Sequence, residues 1–342
     1  MSKRINLISD TVTRPSKAML EQMFIAEVGD DVFKEDPSVN ALEAKAAALF
    51  GMESALYMPS GTMANQIAIK LHTNEGQQII CDKTAHIYKY ENGGIAVNSR
   101  CSVVLMEGDR GRFTATDVKN ALQLNGPYYM QETGLVSIEN TTNLGGGAVW
   151  DINEVKKISA LCVENKIPFH MDGARLFNAL VKTGTKPEQY GKLFDTISIC
   201  ISKGLGAPVG SILLASKKHI AKAMRIRKMM GGGMRQAGYL AAACAYALDN
   251  NVERLAIDHE HAKRIGEALK KQNYIKTVLD VQTNIVIFEL KDEIDQEEFL
   301  SKLLEKNIHI VSMGGAKLRM TTHLDFSSED LEVVLEFIEE LG

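Results

Sequence analysis

Short apolar runs alternate with longer stretches of helical periodicity along most of the chain. That alternation predicts βαβ units and a mainly parallel sheet covered by helices on both faces. The strand candidates are residues 54–58, 78–81, 102–106, 135–139, 167–171, 196–200 and 211–215. Between two of them, Ile152, Val155, Ile158 and Leu161 recur at three-residue steps, a helical spacing over residues 151–165. One early helix is punctuated at both ends: Asp36 can cap it, Pro37 takes its first position, and Gly51 can close it after Phe50. The pattern changes after a long helical stretch at residues 235–269. There, residues 283–289, 308–312 and 317–320 read as strands and 296–306 and 328–341 as helices. We therefore expect an α/β large domain over residues 1–250 and a smaller α+β C-terminal domain over 251–342. A chain of 342 residues also suggests about two domains by length alone.

Composition narrows the partners. Apolar residues make up 45% and charged residues 24%, an ordinary soluble profile that excludes disordered and collagen-like classes. With 39 Lys and Arg against 43 Asp and Glu, the chain lacks the concentrated positive charge of a nucleic-acid binder. No apolar run approaches the roughly 18 residues of a membrane span, and the N-terminus turns polar too early for a signal peptide. Cys81, Cys101, Cys162, Cys200 and Cys244 are odd in number and widely spaced, without a C-x-x-C pair. They read as reduced core thiols of a cytoplasmic protein, and no metal site is expected. Small molecules are the expected partners.

Three segments have chemical potential. Pro59 to Asn65 (PSGTMAN) follows a strand candidate and opens a helix. Unpaired backbone N–H groups at such a turn, together with the helix dipole, suit a phosphate; taken alone, the segment also reads as a plain capped helix start. His170 to Arg175 (HMDGAR) lies at the carboxyl end of a strand candidate, where open α/β sheets place ligands. Asp172 there suits a protonated ring nitrogen, or else caps the next helix and pairs with Arg175. In Ile199 to Gly210 (ICISKGLGAPVG), Lys203 leaves an apolar strand ahead of a Gly-rich segment. Desolvation there favours a nucleophilic amine, although a surface lysine at the start of a hairpin has the same sequence.

The order of these parts, phosphate turn, strand-end Asp and then Lys, resembles the fold-type-I pyridoxal-phosphate enzymes. Further blocks sharpen the resemblance: Ser9 to Pro15 (SDTVTRP), Val28 to Pro37 (VGDDVFKEDP), Glu139 to Thr141 (ENT), Gly231 to Gln236 (GGGMRQ) and Thr322 to Asp325 (THLD). Together they are similar to the threonine aldolase branch of the β-eliminating lyases, in consistent order over nearly the whole chain.

The resemblance implies a pyridoxal 5'-phosphate enzyme that cleaves threonine or allo-threonine to glycine and an aldehyde. It implies Lys203 as the Schiff-base lysine, Asp172 as the partner of the ring nitrogen, Gly61 and Thr62 in the phosphate cradle, and His86 stacked on the ring. Ser9, Arg175 and Arg319 match positions that hold the substrate carboxylate or nearby cofactor oxygens, a task for which the planar Arg fork is suited. Lys228 and Arg235 match positions near an active site shared between subunits, which implies a homodimer or homotetramer. The base for the β-hydroxyl stays open among His86, a phosphate-held water and a neighbouring side chain. Three departures bear on the substrate: Thr142 where a His commonly follows Glu-Asn-Thr, Tyr129 near a substrate-side His, and Phe33-Lys34 in place of Tyr-Gly. They keep open a related lyase that performs β-elimination or racemisation on another amino acid.

Overall fold

A computed structural model describes residues 3–341. Its strands are β1 (Ile5–Asn6), β2 (Ser54–Met58), β3 (Gln78–Asp82), β4 (Ser102–Met106), β5 (Thr133–Glu139), β6 (Phe169–Gly173), β7 (Thr196–Cys200), β8 (Ser211–Ala215), β9 (Ile275–Val278), β10 (Ile285–Leu290), β11 (Ile308–His309), β12 (Val311–Ser312) and β13 (Lys317–Thr321). Seven form the main sheet in the order β2-β8-β7-β6-β5-β3-β4. The run from β7 through β6, β5 and β3 to β4 is parallel, and β8 is antiparallel to both its neighbours. A second sheet, β12-β13-β10-β9, is antiparallel throughout.

The period of two in a strand assigns each face its task. On β6 and β7, Phe169, Met171, Ile197 and Ile199 point into the largest apolar core. The opposite face carries His170, Asp172, Thr196 and Ser198, all buried. Helix Gly61–His72 covers that polar face, and Asn65 on it bonds both Asp172 and Ser198.

A second core gathers side chains from Ala262 to Ile338 together with Ile5 and Leu7. The N-terminal residues belong to it because β1 pairs in parallel with β11. The chain then crosses to the carboxyl edge of the main sheet, where Asp10 bonds Arg175 just beyond β6 and Asn284 just before β10.

The expected α/β class, mainly parallel sheet and smaller antiparallel unit are all present. The early helix is Pro37–Phe50, with Asp36 accepting from Val39 N–H and Gly51 closing it at φ 61°. Four strand bounds match the expectation and the others shift. β6 starts at Phe169, just after Pro168, which has no N–H to offer the sheet. The single strand expected at 308–312 is two, because the chain changes partner at Ile310 from β1 to β13. The helical stretch 235–269 is broken into Gly238–Asn250 and Leu255–Lys270. β9 and β1 gave too short an apolar signal to be anticipated.

Candidate functional site

A cavity of about 590 Å³ opens at the carboxyl edge of the main sheet, against the second sheet. Ser9, His86, Arg175, Lys203 and Arg319 all line it. Its size falls in the range of small-molecule sites. Five residues drawn from separate blocks of sequence therefore share one concave surface.

Lys203 follows β7 in an irregular segment held by bonds from Ile201 and Ser202 N–H to the Gly210 carbonyl. The Lys203 carbonyl also accepts from the Thr13 hydroxyl at 3.0 Å, tying the segment to the N-terminal arm.

His86 opens the short helix His86–Lys89, and its backbone N–H donates to Glu139 Oε2 at 2.8 Å. Its ring Nδ1 lies 2.9 Å from Glu91 Oε1. Burial alone would lower the ring's pKa, but the bond to Glu91 and the charges of Asp172 and Glu91 outweigh it and raise the value. The carboxylates of Glu91 and Asp172 and a ring nitrogen of His86 all lie within 4.8 Å of one another.

Asp172, near the end of β6, is only 3% exposed. Its Oδ1 accepts from Ala174 N–H at 3.1 Å and its Oδ2 from Asn65 Nδ2 at 2.8 Å. Glu139, on neighbouring β5, is pushed up to about 7 by burial and by the Asp172 charge, against N–H bonds from Asn143 and His86.

The two arginines on the cavity differ in what balances them. Arg175 donates to both oxygens of Asp10, Nε to Oδ2 and Nη2 to Oδ1, each at 2.7 Å. Arg319 has only neutral partners: Nη1 meets Asn143 Oδ1 and Nη2 the Ile8 carbonyl, each at 3.1 Å. Burial and the Arg175 charge both lower its pKa. A desolvated guanidinium with no carboxylate beside it among the described residues is a natural anchor for an anion.

Gly61 and Thr62 are the first residues of helix Gly61–His72, where Ser60 Oγ caps Met63 N–H and leaves the earlier N–H groups outside the helical ladder. Gly61 is required there, since a Cβ would stand 2.6 Å from Cys200 Sγ.

Lys228 and Arg235 do not line the cavity of their own chain. Both are exposed; Lys228 borders a separate depression of about 410 Å³, and Arg235 pairs with Asp30 at 2.7 Å. The three departures also lie elsewhere: Tyr129 is 74% exposed on the loop before β5, Phe33 is exposed, and Thr142 is buried beside Gly145.

Asp10, Asn65, Glu91 and Asn143 contribute to the site without having been singled out from the sequence. Asp10 and Asn65 stand inside quoted blocks, next to Ser9 and at the end of the phosphate turn. The one available signal for Glu91 was its spacing of five from His86, across a one-turn helix.

Comparison with known proteins agrees with this geometry. The beta-eliminating lyase family matches residues 6–293. A low specificity L-threonine aldolase of Escherichia coli K12 is 40% identical over 331 residues, covering 96% of this chain and 97% of that protein. Low-specificity L-threonine aldolase 1 of Arabidopsis thaliana is 35% identical, covering 97% and 95%. A solved threonine aldolase of Leishmania major superposes with a TM-score of 0.85 at 21% identity, over 98% of this chain and 99% of that one.

Proposed function

The chain belongs to the beta-eliminating lyase family, and from that premise we infer that it is a pyridoxal-phosphate-dependent aldolase cleaving threonine or allo-threonine to glycine and an aldehyde. The observation that carries this reading is the meeting of Lys203, His86 and Arg319 on one cavity, with the Asp172 carboxylate within 4.8 Å of the His86 ring.

The residues present fit the cofactor. The Lys203 amine would hold its aldehyde carbon, and Asp172 would hold the proton on its ring nitrogen. His86 would contact the ring, and the Gly61 and Thr62 N–H groups with the helix dipole would take the phosphate. When bound, pyridoxal phosphate supplies the electron sink for the pair released on breaking Cα–Cβ.

This chain's own groups do the rest. Arg319, assisted by Ser9 and Arg175, would anchor the substrate carboxylate, fixing which Cα bond stands ready to break. Arg175 has a second duty, because Asp10 already occupies its Nε and Nη2. The His86 ring is oriented by the contact of Nδ1 with Glu91, and that bond with the nearby carboxylate charges raises its pKa.

The same reading includes a homodimer or homotetramer, with Lys228 and Arg235 serving a neighbouring subunit's cavity. Their exposure and their absence from the cavity of their own chain support it. It also includes the division near residue 250. Among the described residues, no helix is long and apolar enough to cross a membrane.

The test is a substrate comparison on purified protein with added cofactor. Aldehyde and glycine should appear from threonine or allo-threonine, and Lys203→Ala should abolish borohydride trapping of the cofactor. Pyruvate from serine without aldehyde from either diastereomer would reject the aldolase reading. Persistent trapping in Lys203→Ala would reject the lysine.

A further inference from the structure

Beneath the cavity, away from Lys203 and Arg319, the polar face of β6 and β7 holds buried side chains that the proposed reaction does not use. Asn65 on helix Gly61–His72 is their hub. Its Nδ2 donates to Asp172 Oδ2 at 2.8 Å and to Glu91 Oε1 at 2.9 Å. Both amide hydrogens are thereby committed to carboxylates, so Asn65 Oδ1 is purely an acceptor.

Everything that meets Oδ1 must therefore donate. Ser198 Oγ does so at 2.6 Å and His170 Nε2 at 3.2 Å. A donating Nε2 fixes the tautomer of a neutral His170: its Nδ1 carries a lone pair and takes the Thr196 hydroxyl at 2.9 Å. Thr196 Oγ1, having given its hydrogen, accepts from His72 Nε2 at 3.1 Å. Burial keeps both rings neutral, pushing His170 down to about 4 and His72 down to about 3. The Thr196 carbonyl, 3.2 Å from Nδ1, would accept from it only if Nδ1 carried a hydrogen.

We propose that His72, Thr196, His170 and Asn65 form a one-way hydrogen-bonded relay, every donor pointing inward, that holds the Asp172 carboxylate in one orientation. This rests on Asp172 being the acid that meets the cofactor's ring nitrogen. The relay reaches Asp172 beside two further buried carboxyl groups, those of Glu91 and Glu139. A line of aligned bonds strengthens each member, so the amide that reaches Asp172 is a better donor than an isolated one. The fold supplies the line through three periodicities. His170 and Asp172 are two apart on β6, Thr196 and Ser198 are two apart on β7 in matching register, and Asn65 and His72 are two turns apart on one helix. These four are positioning residues, since only Asp172 would touch the cofactor.

Two measurements test the relay. In the cofactor-free protein, nitrogen-15 NMR of labelled histidine should show His170 neutral at pH 7 with its hydrogen on Nε2. A hydrogen on Nδ1 would overturn the proposal whatever the enzyme's reaction. In an absorbance titration with pyridoxal phosphate, Thr196→Val, which breaks the line without changing shape, should raise the cofactor Kd roughly tenfold, the scale of one lost hydrogen bond. Thr196→Ser should stay within about twofold of wild type. Wild-type affinity in Thr196→Val would overturn the relay as firmly as the wrong tautomer. If Thr196→Val fails to fold, His170→Gln serves in its place: it keeps a donor toward Asn65, drops the acceptor for Thr196, and should weaken binding. Wild-type protein that binds no pyridoxal phosphate would reject the functional reading instead, leaving the tautomer to decide the relay.

Discussion

Arg175 places its Nε and Nη2 on the two oxygens of Asp10, each at 2.7 Å, with Asp10 fully buried. The pair joins the N-terminal arm to the residue just beyond β6, and Asn284 adds a bond to Asp10 Oδ2 at 3.1 Å. Burial pushes the Asp10 carboxyl up, but the Arg175 charge and bonds win and hold it well below the usual range. Asp10→Ala leaves a guanidinium buried beside Arg319 without its counter-ion. Urea unfolding should show a loss of about 3–5 kcal/mol. A loss below about 1 kcal/mol would mean that the pair is replaceable, as exposed pairs are.

Gly61→Ala tests the close seat of the phosphate turn on the sheet. The new Cβ meets Cys200 Sγ at 2.6 Å and Ser211 Oγ only at 3.6 Å, so one atom causes nearly all the conflict. The variant should lose about 1–3 kcal/mol of stability. Its cofactor Kd should rise as well. Adding Cys200→Ala removes the sulfur, and thermal unfolding of the double variant should recover most of the Gly61→Ala loss. Strict additivity of the two losses would show that the turn is not limited by that contact.

The parts of the site legible in the sequence were those announced by local punctuation. Lys203, Asp172 and the Gly61 turn each stand where a strand ends, and an apolar run followed by a polar or Gly-rich break reveals such a position. Asn65 and Thr196 were not legible as partners, because their bonds join elements far apart in the chain. Asn65 reaches Asp172 across 107 residues and Ser198 across 133. The pairing follows from strand order and from helix Gly61–His72 packing over β6 and β7, which no local pattern encodes. Of the departures, Tyr129 lies on an exposed loop, and Thr142 lies in a tight corner one residue from Asn143, which lines the cavity.

Glu139 predicts a pH effect of definite sign. Its carboxyl, ordinarily near 4.5, is pushed up to about 7 by burial and by Asp172. Between those values the folded chain keeps a proton that the unfolded chain has lost, so this group lowers stability as pH rises through that window. Glu139→Gln removes the titration. In the cofactor-free protein, the variant's stability relative to wild type should therefore improve from pH 5 to pH 7 in urea melts. A difference that stays constant with pH would place the Glu139 pKa outside this window.

Thr142 separates structure from substrate choice. It is 2% exposed, and its Oγ1 has no hydrogen-bond partner among the described residues. Replacing an unsatisfied hydroxyl by a methyl of the same shape removes a desolvation cost, so Thr142→Val should gain about 1 kcal/mol. Because Thr142 does not line the cavity, kcat/KM for threonine should stay within about twofold of wild type. A large kinetic change would mean that this corner governs the substrate's β-substituent after all.

Arg319 should separate substrate binding from cofactor binding. Its guanidinium is braced by Asn143 Oδ1 and the Ile8 carbonyl, and it faces the cavity without a carboxylate partner among the described residues. A lysine in its place keeps the charge but loses the fork that holds a carboxylate by two bonds. Arg319→Lys should lower kcat/KM for threonine by roughly 10- to 100-fold, the scale of one or two hydrogen bonds to a charged group. Cofactor Kd should move by less than about threefold, because the ring and phosphate contacts lie with His86, Asp172 and the Gly61 turn. Arg319→Gln, lacking the charge as well, should fall further. If the Lys variant instead loses cofactor and keeps its kcat/KM once saturated with it, the carboxylate anchor lies elsewhere, and Arg175 with Ser9 becomes the remaining pair on that wall of the cavity.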